Sequence, residues 1–386
     1  MTPAARLSAA MAILDRILGG TPAEQALVNW ARASRFAGSG DRNAIRDLVF
    51  DALRCRRSHA VLGGGETGRG LILGGLRTAG VDPAPLFTGE GHAPAPIGPE
   101  DAGAAPTGAA ALDLPDWIFP QLQQDLGDDL APIAAAMRHR APVFLRVNRA
   151  RSTREAVQAE LAAEGVETRP HPLAETALEV MTNPRKVQTL AAFTEGRVEL
   201  QDAASQAVVE ALPLTEGMRV LDYCAGGGGK TLAMAGRAKL RLFAHDADPR
   251  RMRDLPARAT RAGVRVTLSQ SADLDRQAPF DLVLTDVPCS GSGSWRRAPE
   301  GKWLITPEKL ENLLKIQSDI LDRAAGLVRA GGWLGYATCS LLTAENRGQI
   351  DAFLARQPGW SLHQDRRLTP LDGGDGFYVA VLQRNT

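Results

Sequence analysis

Apolar residues in the first part of the chain recur at helical rather than strand spacing. Leu7, Met11, Leu14 and Leu18 are three or four residues apart, which places them on one face of a helix. A second run of this kind contains Ile45, Leu48, Val49, Ala52 and Leu53. The pattern predicts a small helical bundle over residues 1–80.

The pattern changes twice after the bundle. Residues 81–114 are rich in Ala, Pro and Gly, a composition that predicts a flexible linker. Residues 115–200 mix the two spacings and predict a small α/β module. Its expected helices are Trp117–Leu126, Leu130–Met137 and Thr153–Ala163, and its expected strands are Val143–Val147 and Ala177–Met181.

Short apolar runs and amphipathic runs alternate over residues 201–386. This alternation predicts a Rossmann-like α/β domain, in which a parallel sheet is connected by right-handed crossovers. The expected strands are Arg219–Asp222, Leu240–His245, Val264–Ser269, Phe280–Thr285, Trp333–Thr338 and Tyr378–Leu382, and the longest expected helices are Pro307–Val328 and Ala344–Ala355.

Length and composition exclude several classes of protein. A chain of 386 residues with a net charge of +1 is long enough for two or three domains. No apolar run reaches the length of a membrane-spanning helix. The four cysteines, Cys55, Cys224, Cys289 and Cys339, lack the paired spacing of a zinc site or a disulfide framework. We therefore expect a cytoplasmic protein without a metal site or a membrane anchor.

Basic residues cluster in two places. Between Arg138 and Arg154 there are four further arginines and no acidic residue, which fits either a solvated face or a contact with an RNA backbone. Arg54, Arg56 and Arg57 close the second helical run. Here a basic rim on a packing module is at least as good an interpretation as RNA contact.

A run of glycines follows the strand predicted at Arg219–Asp222. It predicts a tight turn that brings backbone N–H groups and a helix N-terminus against a ligand. The spacing before Lys230 does not fit a phosphate loop of the G-x-x-x-x-G-K type. Asp246 follows the next strand and suits ribose hydroxyls, and Asp273 suits the adenine end. The predicted cofactor-binding residues are Cys224, Ala225, Gly226, Gly227, Gly228, Gly229, Lys230, Asp246, Asp273 and Asp286.

Two cysteines follow two other strand ends, Cys289 after Asp286 and Cys339 after Thr338. Two thiols suit methylation of a pyrimidine at carbon 5. One thiolate adds to carbon 6 and makes carbon 5 nucleophilic, and the other thiol serves the later loss of the carbon-5 proton. Asp286 is placed to hold the pyrimidine, and Lys230 is expected near the target base or the methyl donor. In contrast, Cys55 is expected to be a packing residue.

Three motifs resemble those of the Sun-type (NOL/NOP/Sun) RNA cytosine-5 methyltransferases. They are Asp222-Tyr223-Cys224-Ala225-Gly226-Gly227-Gly228-Gly229-Lys230-Thr231, Asp286-Val287-Pro288-Cys289-Ser290 and Tyr336-Ala337-Thr338-Cys339-Ser340, the last followed by Glu345-Asn346. The family has Ala-Pro where this chain has Gly226-Gly227.

The resemblance implies S-adenosylmethionine as the cofactor, Cys339 as the nucleophile and Cys289 as the residue that assists product release. It also implies an RNA-binding, RRM-like fold for residues 115–200 and a shortened NusB-like bundle for residues 1–80. Arg296, Lys302 and Trp303 become candidates for shaping the RNA site. The implied substrate is 16S ribosomal RNA or a small-subunit assembly intermediate, and no obligate protein partner is indicated.

Three alternatives remain open from the residues. The same chemistry could act on transfer RNA or another RNA. A non-catalytic RNA-binding assembly factor is a second possibility, which the two intact thiols disfavour. A nicotinamide oxidoreductase is the third, but hydride transfer has no use for two cysteines beside the cofactor.

Overall fold

The computed structural model describes residues 1–386, which form two compact units. The first unit contains Met1–Arg140 and Trp295–Leu304, and the second contains Ala141–Ser294 and Ile305–Thr386. None of the helices combines the length and the apolar character needed to cross a membrane.

The first unit is helical. Thr2 caps its first helix by accepting a hydrogen bond from the Ala5 N–H at 3.2 Å, and Pro3 occupies the first turn, where its missing N–H costs nothing. Leu14, Ile45 and Leu71 from three different helices meet in a common core. The helices are α1 Pro3–Leu18, α2 Ala23–Ala33, α3 Ser39–Arg54, α4 Arg56–Leu62, α5 Gly68–Thr78, α6 Gly108–Ala111, α7 Phe119–Leu126 and α8 Leu130–Met137.

Residues 81–114 pack on this bundle, so the prediction of a flexible linker is wrong. Phe87 is 2% exposed within the helical core. The carboxylate of Asp101 is buried and pairs with Arg69 of α5 at 2.7 Å. Asp113 is fully buried and accepts hydrogen bonds from Ser58 and Arg138. Composition did not reveal these anchors, because single buried side chains fix a Pro- and Gly-rich segment without any periodic pattern.

The second unit begins with a small antiparallel sheet of order β2-β3-β1-β4. Its helices lie against one apolar cluster that includes Leu145, Val157 and Leu178. The division between units follows Arg140, so α7 and α8 lie in the first unit. The elements are β1 Val143–Val147, α9 Arg154–Ala163, β2 Thr168–Pro170, β3 Ala177–Val180, α10 Ala191–Thr194 and β4 Val198–Leu200.

The remainder of the second unit is a seven-stranded sheet of order β10-β11-β9-β8-β5-β6-β7. Strands β9, β8, β5, β6 and β7 are parallel, and β11 and β10 add an antiparallel edge. The elements are α11 Ala203–Glu210, β5 Arg219–Asp222, α12 Gly229–Ala235, β6 Arg241–Ala244, α13 Leu255–Ala262, β7 Val266–Leu268, α14 Leu274–Gln277, β8 Phe280–Asp286, α15 Pro299–Leu304 (part of the first unit), α16 Pro307–Ala325, β9 Val328–Thr338, α17 Arg347–Arg356, β10 Trp360–Leu368 and β11 Phe377–Arg384.

This topology confirms the predicted Rossmann-like domain. It also indicates where a ligand would bind. Strand β5 is paired with β8 on one side and β6 on the other, so the strand order reverses at β5. Ligands of open α/β sheets bind beyond the carboxyl ends of the strands at such a switch point. The edge strand β10 was not predicted, because most of its residues are exposed and give no apolar run.

Candidate active site

The carboxyl ends of β5, β8 and β9 bring the predicted chemistry to one edge of the sheet. Strand β5 ends at Asp222, β8 at Asp286 and β9 at Thr338. In the register of the ladder, Asp286 is level with Ala337, two residues before Cys339. Residues separated by more than 100 positions in the sequence therefore line one crevice.

The two thiols that the sequence singled out are adjacent. The Sγ atoms of Cys289 and Cys339 are 3.4 Å apart, and the Ser294 hydroxyl donates to the Cys339 sulfur at 3.8 Å. Both cysteines are free and partly exposed. The hydrogen bond from Cys289 holds the pKa of Cys339 below its ordinary value although burial opposes this, and the same contact raises the pKa of Cys289. Cys339 is therefore the thiol that ionises first.

A buried carboxylate fixes the segments that carry the thiols. Glu345 is fully buried, and its side chain accepts hydrogen bonds from the Ser290 N–H at 2.8 Å and from the hydroxyls of Ser290 and Ser340, both at 2.5 Å. Gln317 of α16 donates to the same carboxylate at 3.0 Å. Since Ser290 and Ser340 directly follow the two cysteines, Glu345 joins the two cysteine-bearing loops. Glu345 belongs to the third sequence motif, but no pattern in the sequence indicates that it joins the two loops.

Lys230 and Asp286 form an ion pair within the same crevice. Lys230 Nζ lies 2.7 Å from a carboxylate oxygen of Asp286 and 4.9 Å from the centre of the Phe377 ring. Burial alone would lower the pKa of Lys230, but the Asp286 carboxylate outweighs it and the pKa is raised. Lys230 is therefore a fixed positive charge, and its field favours the thiolate of Cys339.

The glycine turn, residues 224–229, lies between β5 and α12. Gly226 and Gly228 have φ values of +50° and +80°, which favour glycine. A Cβ on Gly228 would also lie 2.1 Å from Leu255. The buried carboxylate of Asp246 accepts hydrogen bonds from the N–H groups of Gly226 and Asp248, both at 3.0 Å. The turn and the acid that sequence reasoning paired with it are thus in direct contact.

Two arginines support the glycine turn from outside. Arg146 of β1 donates to the carbonyl of Gly229 at 2.7 Å, and Arg258 of α13 donates to the carbonyl of Gly227. Glu199 of β4 pairs with Arg258 at 3.4 Å and with Arg261 at 2.7 Å. The small antiparallel sheet therefore helps to hold the glycine turn in place. None of the sequence motifs indicated this contact.

Asp222 carries an acceptor that lacks a donor. One of its oxygens accepts from the Thr231 hydroxyl at 2.6 Å, while Oδ1 is buried without a hydrogen-bond partner. Burial raises the pKa of Asp222 to about 7. Buried acceptors without a donor are rare in folded proteins, so Oδ1 of Asp222 is free to accept a hydrogen bond from a bound group.

Two predicted cofactor residues have more ordinary surroundings. Asp273 follows β7 and pairs with Arg276 at 2.7 Å on the surface. Cys224 is largely buried in the turn, and burial raises its pKa, so it is a neutral wall residue. No group of three or more His, Cys, Asp or Glu side chains is arranged to hold a metal ion.

Several basic residues proposed for RNA contact are instead structural. Lys302 is 2% exposed and donates to the Arg54 carbonyl at 2.9 Å, and Trp303 donates to the Leu53 carbonyl. Arg296 and Arg54 are also buried. In the run between 138 and 154, Arg138 pairs with buried Asp113 and Arg146 supports the glycine turn. These two arginines of the run are therefore bound by groups that are distant in sequence.

The sheet order, the glycine turn after β5 and the acid after β6 define a Rossmann-like methyltransferase fold. Residues 209–383 match the family model of the 16S rRNA methyltransferase RsmB/F, and residues 114–188 match the ferredoxin-like domain of the same proteins. The chain belongs to this family, as the resemblance in its motifs predicted.

Curated relatives agree with this assignment. The ribosomal RNA small subunit methyltransferase B of Klebsiella pneumoniae is 37% identical over 287 residues, which are 69% of this chain and 65% of that protein. The protein of the same name from Citrobacter koseri is 35% identical over 290 residues, 72% of this chain and 68% of that protein. The chain thus spans about two thirds of the length of these relatives.

A solved structure extends the likeness in fold to the whole chain. The crystal structure of PH0851 superimposes with a TM-score of 0.77 and covers 100% of this chain and 99% of its own, at 22% sequence identity. At this identity the comparison concerns the fold alone.

Proposed function

We propose that this protein is an S-adenosylmethionine-dependent RNA methyltransferase that forms 5-methylcytosine, with 16S ribosomal RNA or a small-subunit assembly intermediate as its substrate in the cytoplasm. The observation that carries the proposal is the 3.4 Å separation of the Cys289 and Cys339 sulfurs at the switch-point edge of the sheet. Two thiols in contact beside a fixed cation suit addition to, and release from, a pyrimidine ring.

The residues present fit the cofactor. The glycine turn offers backbone close to a ligand, Asp246 lies at the end of β6, and the unpartnered Oδ1 of Asp222 accepts a donor such as an amino group. When bound, S-adenosylmethionine supplies an activated methyl group. Asp246 and Asp273 are proposed to hold its ribose and adenine ends, and Asp286 and Lys230 close the crevice beside it.

Cys339 is the proposed nucleophile. Its thiolate forms a bond to carbon 6 of cytosine, and the electron pair released from the 5,6 double bond makes carbon 5 able to attack a methyl group. The hydrogen bond with Cys289 favours the thiolate of Cys339, and the charge of Lys230 offsets part of the opposing effect of the Asp286 carboxylate. Asp286 accepts from Lys230 through one oxygen, which leaves the other to accept a hydrogen bond from the exocyclic amine of cytosine.

Cys289 is the proposed base for the last step. Its pKa is raised chiefly by its contact with Cys339 and by burial. Once the Cys339 sulfur is bonded to carbon 6 it carries no charge, so this contribution disappears and Cys289 loses its proton to solvent water more readily. The Cys289 thiolate then takes the carbon-5 proton, the double bond re-forms, and the Cys339 thiolate leaves.

The substrate is inferred from the family. The relatives are named as ribosomal RNA small subunit methyltransferases, which favours 16S ribosomal RNA over transfer RNA. The experiment is methyl transfer from labelled cofactor into fractionated total RNA, followed by bisulfite sequencing of 16S RNA from cells with and without the gene. We expect label in 16S RNA and one protected cytosine that disappears without the gene. Label only in transfer RNA would identify the alternative substrate, and no label in any RNA would favour a non-catalytic assembly factor.

A further inference from the structure

The turn between α2 and α3 presents an aromatic side chain to solvent. The Ala37 N–H donates to the Ser34 carbonyl at 3.0 Å, which closes a four-residue turn with Arg35 and Phe36 at its central positions. Ser34 and Ala37 are 8% and 3% exposed, whereas Phe36 is 76% exposed, more than any other large hydrophobic residue of the chain. The anchored turn therefore holds Phe36 away from the core.

The surroundings of Phe36 are basic. Arg32, Arg35 and Arg42 are exposed, and none of them forms an ion pair. Asp41 and Glu24, two nearby acids, are paired with Arg6 at 2.8 Å and with Arg46 at 2.5 Å. The three arginines beside the turn thus keep their positive charge available for a partner outside the chain.

We propose that residues 32–42, here called the Phe36 turn, bind single-stranded RNA. Phe36 stacks on an unpaired base, and Arg32, Arg35 and Arg42 contact phosphates. Stacking on an exposed aromatic ring suits any base that is not already stacked in a duplex. The proposal rests on the proposed function, because it takes RNA as the partner of this chain.

Charge and composition favour RNA over a protein partner. The fully buried centre of a protein-binding surface is more apolar than its rim and is packed with neighbours that exclude water. Phe36 is instead flanked in sequence by Arg35 and by the small residues Ala37, Gly38, Ser39 and Gly40. An isolated ring among unpaired arginines is the combination that single-stranded nucleic acid recognises.

Substitution of Phe36 tests the stacking. The full chain is titrated into a fluorescein-labelled single-stranded oligouridine of about 12 nucleotides, and binding is followed by fluorescence anisotropy. We expect Phe36→Ala and Phe36→Leu to weaken binding about 5- to 100-fold and Phe36→Trp to retain it, because only Trp keeps an aromatic face. Thermal melting curves that match the wild type exclude misfolding.

Salt dependence tests the arginines. Arg35→Gln should reduce the slope of log K against log salt by about 0.7, the contribution of one phosphate contact in a single strand. Arg46→Gln is the matched control, since it removes the same charge from a nearby arginine that is already paired with Glu24. We expect the control to keep the wild-type slope.

Three outcomes would overturn the inference. Equal affinity of the wild type and Phe36→Ala for the oligonucleotide would show that Phe36 does not stack on a base. Equal slopes of log K against log salt for the wild type and Arg35→Gln would show that Arg35 does not contact a phosphate. Unchanged binding in Phe36→Leu with weakened binding in Phe36→Ala would indicate apolar contact of the kind a protein partner makes. None of these three outcomes contradicts the proposed function. The proposed function would be contradicted by a different result, namely that the full chain transfers no methyl group to RNA.

Discussion

The two sides of the active-site crevice are held in place by different means. The thiol side consists of Cys289, Cys339 and the loops that carry them, and Glu345 joins these loops through Ser290 and Ser340. The cofactor side is the glycine turn, whose carbonyls are held by Arg146 and Arg258 from other parts of the domain. One side is fixed by a buried carboxylate that both of its loops share, and the other by arginines from elements outside the turn.

The difference follows from the residues that each side needs. Reactive thiols tolerate polar side chains beside them, so serines next to each cysteine can bind a shared carboxylate. A glycine turn has no side chains of its own and loses much conformational entropy when it is ordered. Its order must therefore be supplied by groups elsewhere. We expect changes on the thiol side to affect bond formation and changes on the cofactor side to affect cofactor affinity.

The largest effect is expected from Cys339→Ala. Without the nucleophilic sulfur, turnover should fall by at least about 10⁴-fold, and no covalent protein–RNA adduct should form. Affinity for S-adenosylhomocysteine, measured by calorimetry, should stay at the wild-type value, because the glycine turn is unchanged. Full methyl transfer by this variant would refute the assignment.

Cys289→Ala should stop the reaction after adduct formation. The variant keeps the nucleophile but lacks the proposed base, so the carbon-5 proton is retained and the Cys339 sulfur stays bonded to the RNA. A denaturing gel should show a slow-releasing protein–RNA complex that depends on S-adenosylmethionine and is missing in the Cys289→Ala/Cys339→Ala double variant. The absence of a trapped complex would contradict the two-thiol scheme.

Glu345→Gln is expected to slow adduct formation by about 10- to 100-fold, since charge-assisted hydrogen bonds to both serines are lost. Adduct formation is measured in the Cys289→Ala background, and S-adenosylhomocysteine affinity serves as the second readout. Glu308→Gln, at an exposed acid in the first turn of α16, is the control. If Glu345→Gln lost cofactor affinity and formed the adduct at the wild-type rate, the thiol side would not act on bond formation as proposed.

Arg258→Gln should raise the KM for S-adenosylmethionine about 10-fold while kcat at saturation changes little. Arg258 loses a hydrogen bond to the Gly227 carbonyl, whereas Arg261 pairs with the same Glu199 but does not hold the turn. Arg261→Gln is therefore the matched control and should stay within about 2-fold of wild type. Equal effects of the two substitutions would show that only the ion pairs with Glu199 matter.

The smallest effect concerns pH. The hydrogen bond with Cys289 lowers the pKa of Cys339, so the Cys339 thiolate is present at lower pH than an ordinary thiol allows. In Cys289→Ala this donor is lost, and the pH midpoint for alkylation of Cys339 by iodoacetamide should move upward. Cys55, whose pKa burial raises to about 12, should stay unlabelled in both proteins at pH values where Cys339 reacts. A midpoint that is unchanged or lower would contradict the proposed hydrogen bond.

Local sequence patterns predicted the strands of the Rossmann-like domain well, but they did not predict which basic side chains are exposed. The strand ends at Asp222 and Asp286 were placed correctly, because buried strands bounded by turns leave a clear apolar signature. Lys302 was a candidate for shaping an RNA site, and Arg146 lies in a run that fitted either a solvated face or an RNA contact, but both side chains are buried. The sequence around a charged side chain does not reveal whether that side chain will contact solvent, RNA or a carbonyl from a distant part of the chain.

The sequence by itself determined the alternation of strands and helices over residues 201–386, the glycine turn, and the chemical identity of the two thiols, because these depend on residues that are neighbours along the chain. Only the tertiary structure decided that the sulfurs lie 3.4 Å apart, that Glu345 fixes both thiol loops, and that residues 81–114 pack on the helical bundle. These features depend on contacts between segments far apart in sequence, and such contacts form only when the sheet and the helices are assembled.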